Sequence, residues 1–260
     1  MTNSDATPES DAQVAARLAV DAGHLLVALR DELTQAGAPA WHVMDSGDLA
    51  SQRFLAQELA LARPRDAVLS EEGLEDPRRF DTDRVWILDP LDGTSEYGEL
   101  RPDWAVHVAL WDADHFAAGA VSIPALDLIF CTDPPAVVPQ SERSRPRLVT
   151  SRNRNPYVAV VIANALEADA FRLGSAGAKA MAVVTGEADL YVHDGGMYQW
   201  DSAAPAAVAL AAGLHVSRID GSPMVFNDRD PWLPDLLICR PEYAEPALDA
   251  LRSSPRQAWR

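Results

Sequence analysis

The run Val85-Trp86-Ile87-Leu88 empties directly into Asp89-Pro90-Leu91-Asp92-Gly93-Thr94. Four apolar residues in a row, two of them β-branched and one aromatic, read as a buried strand. Pro90 and Gly93 forbid further regular strand beyond it. A strand of this kind places two aspartates at its end, where water is scarce. Ionised carboxylates there are costly unless they are paired or bound to a metal. Whatever the chain folds into must bring compensating positive charge to this one point.

Two other segments repeat the theme. Ala67-Val68-Leu69-Ser70 is a short strand running into Glu71-Glu72, and Trp200-Asp201-Ser202-Ala203-Ala204-Pro205 places Asp201 at the start of an apolar helix. Each has a plainer reading taken singly. Asp-Pro and Asp-Gly-Thr are turn sequences, Glu71-Glu72 is a solvated acidic pair, and Asp201 is an ordinary helix N-cap. Together they form an all-oxygen donor set of the kind that suits Mg²⁺, which takes a few carboxylates and keeps several waters. Asp89 and Asp92 can hold ions from adjacent sides, and the Leu91 carbonyl can turn inward between them. Gly93 permits close approach of a phosphate, and Thr94 offers a hydroxyl and an amide at a helix start. A phosphatase loop of the Asp-x-Asp-Gly-Thr type, with a covalent aspartyl phosphate, has one residue between its aspartates. Here two residues intervene, which is the wrong spacing for that chemistry.

Charge sharpens the argument. With 22 basic against 39 acidic side chains, a formal charge of -17 and a pI near 4.6, the molecular field repels nucleic acid and anionic membrane surfaces. A phosphate ester bound by such a chain needs local neutralisation, and a divalent cation supplies it. Cys131 and Cys239 sit in separate apolar runs and read as buried, reduced thiols. No run approaches ~18 uninterrupted apolar residues and the first ten are polar, so a cytoplasmic protein without a membrane span is expected. His42, His107 and His193 are too far apart to suggest a metal cluster and read as satisfied or surface histidines. Trp104, Trp111 and Trp232 read as core or edge packing rather than a base-stacking platform.

Residues 1–9 read as a disordered leader. Ser10 caps a first helix, ended by Gly37 and Pro39, and a second helix spans about Asp48 to Ala62 before Pro64. Strands follow at Ala105–Trp111, Ala117–Ile123 and Leu126–Cys131. Pro134, Pro135, Pro139 and the polar run after them mark the best boundary. It divides residues 10–139, with most ligands, from residues 140–260, which carry Asp201 and the substrate-facing residues, in one compact unit. Past that boundary, extended segments at Arg147–Thr150, Ala188–Val192 and Leu236–Cys239 alternate with helices at Tyr157–Leu166, Ala176–Val184 and Ala203–Ala212. The pattern predicts a layered α+β fold.

Ser70-Glu71-Glu72-Gly73, Trp86 through Thr94, and Trp200-Asp201-Ser202-Ala203-Ala204-Pro205 occur in the order of three motifs of the inositol-monophosphatase-like superfamily, which the chain resembles over most of its length. Gly174-Ser175-Ala176-Gly177-Ala178-Lys179, followed by Gly186-Glu187-Ala188-Asp189-Leu190-Tyr191, looks most like its CysQ-type 3′-nucleotidase branch. The resemblance implies the α-β-α-β-α sandwich of the sugar phosphatases, and two or three Mg²⁺ ions held by Glu71, Asp89, the Leu91 carbonyl, Asp92 and Asp201. It implies a water activated by metal, oriented by Thr94 and deprotonated with help from Glu71 and Asp48. Substrate contacts would come from Glu71, Leu91, Asp92, Gly93, Thr94, Ser175, Gly177, Lys179 and Asp201. The expected reaction removes the 3′-phosphate of 3′-phosphoadenosine 5′-phosphate, with 3′-phosphoadenylyl sulfate as a related substrate. Sulfate assimilation, lithium inhibition and homodimer formation belong to the same expectation. Inositol monophosphate or fructose 1,6-bisphosphate is the alternative substrate, and a metal- or nucleotide-binding module without catalysis is the alternative of another class. The chain departs from the family before the second helix. It reads Asp45-Ser46-Gly47-Asp48 where many members carry Val-Thr-x-x-Asp, keeping only Asp48, a difference that bears on a third ion.

Overall fold

The computed structural model describes residues 8–154 and 156–254, so most of the expected leader and the last six residues lie outside the described residues. Helix α1, Asp11–Gln35, starts at a capping box in which Ser10 Oγ accepts from the Gln13 amide and the Gln13 side chain accepts from the Ser10 amide. Val14, Ala15, Leu18, Ala22 and Leu26 form its buried stripe, which packs against the first sheet. By length and composition alone α1 is apolar enough to cross a membrane. Its apolar stripe is instead spent on the core.

Helix α2, Ala40–Ala62, begins eight residues earlier than the sequence pattern suggested. Pro39 occupies its N-cap, and a buried stripe of Val43, Gly47, Ser51, Leu55 and Leu59 at spacings of four runs unbroken through the Asp45-Ser46-Gly47 segment. Gly47 is no breaker here. A Cβ at that position would stand 2.8 Å from Tyr97 and 3.0 Å from Leu91, so the missing side chain lets the helix press on the acidic motif. Asp48 consequently projects from mid-helix rather than from a helix start.

The first sheet has the order β1-β2-β3-β4-β5, from Ala67–Ser70, Arg84–Asp92, Ala105–Asp112, His115–Ile123 and Leu128–Cys131. β1 and β2 are parallel and the other pairs antiparallel. Contrary to the expectation that Pro90 and Gly93 end the strand, β2 continues to Asp92 through a bulge between Asp89 and Asp92. The bulge is sustained by side chains: Ser51 Oγ donates to the Pro90 carbonyl at 2.7 Å, and Asp89 Oδ1 accepts from the Leu91 amide at 3.1 Å. Thr94–Gly98 forms the short α3.

The second sheet, β7-β6-β8-β10-β9, comes from Arg147–Ser151 (β6), Asp169–Leu173 (β7), Leu190–Tyr198 (β8), His215–Ser217 (β9) and Trp232–Cys239 (β10). β7, β9 and helix α7, Pro241–Ser253, have no counterpart in the sequence reading, because β7 and β9 are short and largely unburied and α7 holds two prolines. Helices α4, Tyr157–Leu166, and α5, Ala176–Val184, have their expected bounds, whereas α6, Gln199–Ala211, starts before Ala203. α1 and α2 cover one face of the first sheet, α5 and α6 lie between the two sheets, and α4 and α7 cover the far face of the second. These are the five layers of an α-β-α-β-α sandwich.

Candidate active site

Strand register assembles the acidic cluster. β1 and β2 run parallel with Ser70 opposite Leu88, and the Glu71 amide donates to the Leu88 carbonyl at 3.3 Å. The next residue on each strand, Glu71 and Asp89, therefore emerges at the same sheet edge. The antiparallel pairing of β2 with β3 sets Asp89 opposite His107 and Asp92 opposite Ala105. From the inner layer, α6 presents Asp201 in its first turn, where Oδ2 accepts from the Tyr198 amide at 2.5 Å. Asp89, Asp92 and Asp201 each offer a carboxylate oxygen, all within 4.8 Å of one another. Glu71 stands beside this trio, close enough for its charge to interact with those of Asp92 and Asp201.

Asp92 is gripped by the inner helix α5. Its Oδ1 accepts from the Ala176 amide at 3.1 Å and its Oδ2 from the Gly177 amide at 2.6 Å, so a carboxylate sits on the positive end of the helix dipole. Ser175 caps this helix, with Oγ accepting from the Ala178 amide at 2.9 Å. Lys179 is not on a solvent face. It is 4 % exposed, and its Nζ donates to the carbonyls of Gly174 and Ser175, locking the turn that aims the two amides at Asp92. Gly93, at φ +88°, makes the turn into α3; a side chain there would be strained and would also meet the Ser175 Cβ at 2.9 Å. Thr94 Oγ1 lies 3.3 Å from Asp48 Oδ1 and 3.1 Å from the Leu91 carbonyl, so its one proton serves one acceptor at a time.

The electrostatics are those of crowded, half-dry carboxylates. Burial, reinforced by the charges of Asp92, Glu71 and Asp201, pushes Asp89 well above the usual range. Burial and then the neighbouring Asp201 raise Glu71 to about 7 even though part of its side chain faces solvent. Burial followed by Glu72 raises Asp48 to about 7, and burial followed by Asp92 raises Asp201 to about 6. Asp92 is the exception. Burial pushes it up, but His107, Lys179 and the Gly177 amide together outweigh that and bring it to about 2. One carboxylate is thus held as an anion by the protein, while its neighbours await a cation.

A hard divalent cation fits this set. Every donor in the trio is oxygen, and Asp89 Oδ2 is buried with no hydrogen-bond partner among the described residues. The trio forms one candidate site for Mg²⁺.

The structure brings Glu71, Asp89, Leu91, Asp92, Gly93, Thr94, Asp48 and Asp201 into one neighbourhood, with Ser175, Gly177 and Lys179 behind Asp92. The Gly177 amide and two of the three Lys179 N–H donors are taken by protein acceptors. A cleft of about 480 Å³ opens from Asp92, Gly93 and Asp201 toward Arg154, Gly196 and Trp232. Sequence reasoning missed His107. It is fully buried, with Nε2 3.3 Å from Asp92 Oδ2 and Nδ1 3.1 Å from the Trp200 carbonyl. The signal was its place on the inward face of β3, where it alternates with Ala105, Ala109 and Trp111. Trp104 and Trp111 are core residues, but Trp232 is half exposed at the cleft.

The sequence matches the inositol monophosphatase family over residues 9–254. A Mycobacterium bovis protein named 3′-phosphoadenosine 5′-phosphate phosphatase is 45% identical over 253 residues, covering 92% of this chain and 91% of the relative. The Mycobacterium leprae protein of the same name is 43% identical, covering 94% of each. Among solved structures, inositol monophosphatase II of Staphylococcus aureus superimposes with a TM-score of 0.76 at 19% identity, covering 93% of this chain and 96% of that one, a likeness of fold. With its layers, its acidic trio and this match over nearly its whole length, the chain belongs to the inositol monophosphatase family.

Proposed function

We propose that this protein is a magnesium-dependent phosphomonoesterase that removes the 3′-phosphate of 3′-phosphoadenosine 5′-phosphate, the substrate for which its mycobacterial relatives are named. The observation that carries the reading is the convergence of Asp89, Asp92 and Asp201 within 4.8 Å at the mouth of a cleft of about 480 Å³. That volume suits a nucleotide-sized ligand.

In this reading Asp89, Asp92, Asp201, Glu71 and the Leu91 carbonyl hold two or three Mg²⁺ ions. Bound there, the ions would supply Lewis acidity toward the phosphoryl oxygens and acidify water at neutral pH. The chain's own residues do the rest. The Thr94 hydroxyl, between Asp48 and the Leu91 carbonyl, orients the nucleophile. Asp48, which accepts from the Thr94 hydroxyl, and Glu71, beside the acidic trio, are the carboxylates placed to take the proton. The Gly177 and Ala176 amides keep Asp92 ionised and fixed, so the site needs little rearrangement during reaction. Gly93, with no side chain, leaves room for the phosphate. A cytoplasmic location belongs to the same proposal, supported by the packing of α1 against the first sheet.

The test is a panel of phosphate esters assayed with Mg²⁺. 3′-Phosphoadenosine 5′-phosphate should be hydrolysed with a kcat/KM well above those of inositol 1-phosphate and fructose 1,6-bisphosphate. Equal or reversed preference would remove the substrate assignment, and no release from any ester would remove the catalytic one.

A further inference from the structure

The acidic trio is assembled from two sides. Asp89 and Asp92 stand on β2 of the first sheet, whereas Asp201 arrives in the first turn of α6. Asp92 and Asp201 bring carboxylate oxygens within 4.8 Å of each other, so two like charges repel across this join. The α5 amides hold Asp92 in place. The α6 side is held through Gln199, the first residue of that helix, which is fully buried. Its amide donates to the Pro231 carbonyl at 2.8 Å, and its Oε1 accepts from the Asn227 amide at 2.6 Å. Both partners lie in the connection from β9 to β10, so this connection fixes where α6 begins.

The connection is gripped in turn from the first sheet by Arg79, in the 3-10 turn Pro77–Phe80 between β1 and β2. Arg79 is 1% exposed. Its Nη1 donates to Asn227 Oδ1 at 3.0 Å and to the Asp228 carbonyl at 2.9 Å. Its Nη2 donates to the Arg229 carbonyl and to Glu75, each at 3.2 Å. Asn227 answers through Nδ2, which donates to the Arg79 carbonyl at 2.8 Å. The φ of Asn227, +63°, lies in the left-handed region that asparagine tolerates, and there its amide serves Gln199 while its side chain serves Arg79. The Phe80 ring backs the guanidinium at 4.0 Å. Among the described residues, the hydrogen bonds that join segment 71–83 to any residue beyond 139 all involve Arg79. Opening this grip would leave a buried cation without partners, so the closed arrangement is strongly specified.

We propose that Arg79, acting through Asn227 and Gln199, is a positioning residue that holds the first turn of α6 against the first sheet and so sets Asp201 beside Asp89 and Asp92. The relay resists the repulsion between Asp92 and Asp201 before any ion arrives, and the donor set is therefore preformed when it does. The inference rests on the function proposed above only in taking Mg²⁺ as the ion that the trio receives.

The test needs no substrate. Arg79→Met keeps an apolar stem against Phe80 and removes the donors; Asn227→Gly keeps a residue suited to positive φ and removes the side chain, and it stands in should Arg79→Met fail to fold. Leu251→Ala, in the remote core under α7, is the control for a loss of stability alone. Calorimetric titration with Mg²⁺ should show affinity weakened about 10-fold by each relay variant and unchanged within about twofold by the control. Amide hydrogen exchange in chelator should be faster by about 10-fold or more in the first turn of α6 in the relay variants, with α4 as protected as in the wild type. Wild-type exchange in that turn would overturn the proposal, and so would a loosened turn with wild-type Mg²⁺ affinity, or an equal loss of affinity in Leu251→Ala. Should the wild-type protein take up no Mg²⁺, the function proposed above falls, and the exchange measurement alone decides whether the relay holds Asp201.

Discussion

The Gly177 amide donates to Oδ2 of Asp92 at 2.6 Å, joining residues 85 positions apart and tying the inner helix α5 to the edge of the first sheet. The contact is close because residue 177 has no side chain. A Cβ there would lie 2.3 Å from His107 Nε2 and 2.8 Å from the Ala105 Cβ. Gly177→Ala should push α5 off Asp92, destabilise the fold by about 1–3 kcal/mol and depress phosphate release. Urea unfolding and a turnover assay on the same sample check this, and wild-type values in both would mean that α5 withdraws freely.

Asp92→Asn keeps the shape of the side chain and removes its charge. It should cut turnover by several orders of magnitude while the circular dichroism spectrum and unfolding midpoint stay close to wild type. Mg²⁺-dependent release at the wild-type rate from a folded variant would take Asp92 out of the chemistry.

The raised carboxylates make stability depend on pH when Mg²⁺ is withheld. Glu71 and Asp48 titrate near 7 and Asp201 near 6 in the folded protein, against ordinary values near 4 once unfolded. Between these limits the folded state holds more protons than the unfolded one. Stability should therefore fall as pH rises from about 4.5 to about 7 and level off above. Asp92, shifted the other way to about 2, gives a contribution that is lost only when acid reaches well below that window. Thermal melts in chelator across pH 5 to 8 should show the decline, and millimolar Mg²⁺ should reduce or reverse it. A melting temperature that rises with pH in chelator would contradict the assignment.

Ser175 holds the first turn of α5 through the Ala178 amide. Ser175→Ala should cost about 1 kcal/mol in chemical denaturation, the usual value of an N-cap hydroxyl. Because the same turn positions the Ala176 and Gly177 amides on Asp92, kcat should drop as well. Ser175→Thr, which keeps the hydroxyl, should recover part of both the stability and the kcat lost in Ser175→Ala.

Thr94→Val removes a hydroxyl between Asp48 and the Leu91 carbonyl without changing volume much. The expected result is a large fall in kcat with little change in KM, and partial recovery in Thr94→Ser. A change confined to KM would assign the hydroxyl to substrate binding.

The acidic trio was legible in the sequence because each member abuts a recognisable apolar run, and strands that end on carboxylates leave few structural explanations. Helix α2 was cut short in the reading because Gly47 and Asp48 resemble a loop, while the deciding fact, a helix pressed against Tyr97 and Leu91, exists only in three dimensions. The continuation of β2 through Pro90 depends on the Ser51 hydroxyl, 39 residues away, replacing a strand partner. His107 looked like a lone histidine in an apolar strand; only the pairing with Asp89 reveals its place. Trp232 read as packing, and nothing in one dimension distinguishes a core indole from one left half bare at a cleft.

Lys179 is the only lysine in the chain, and it is enclosed beside Asp92. Among the described residues, then, the outward-facing permanent cations are all guanidinium groups, which amine acylation does not touch. Acetylating enzymes and amine-directed reagents would find no exposed lysine among the described residues. Labelling of Lys179 by such a reagent would report the opening of the α5 turn itself.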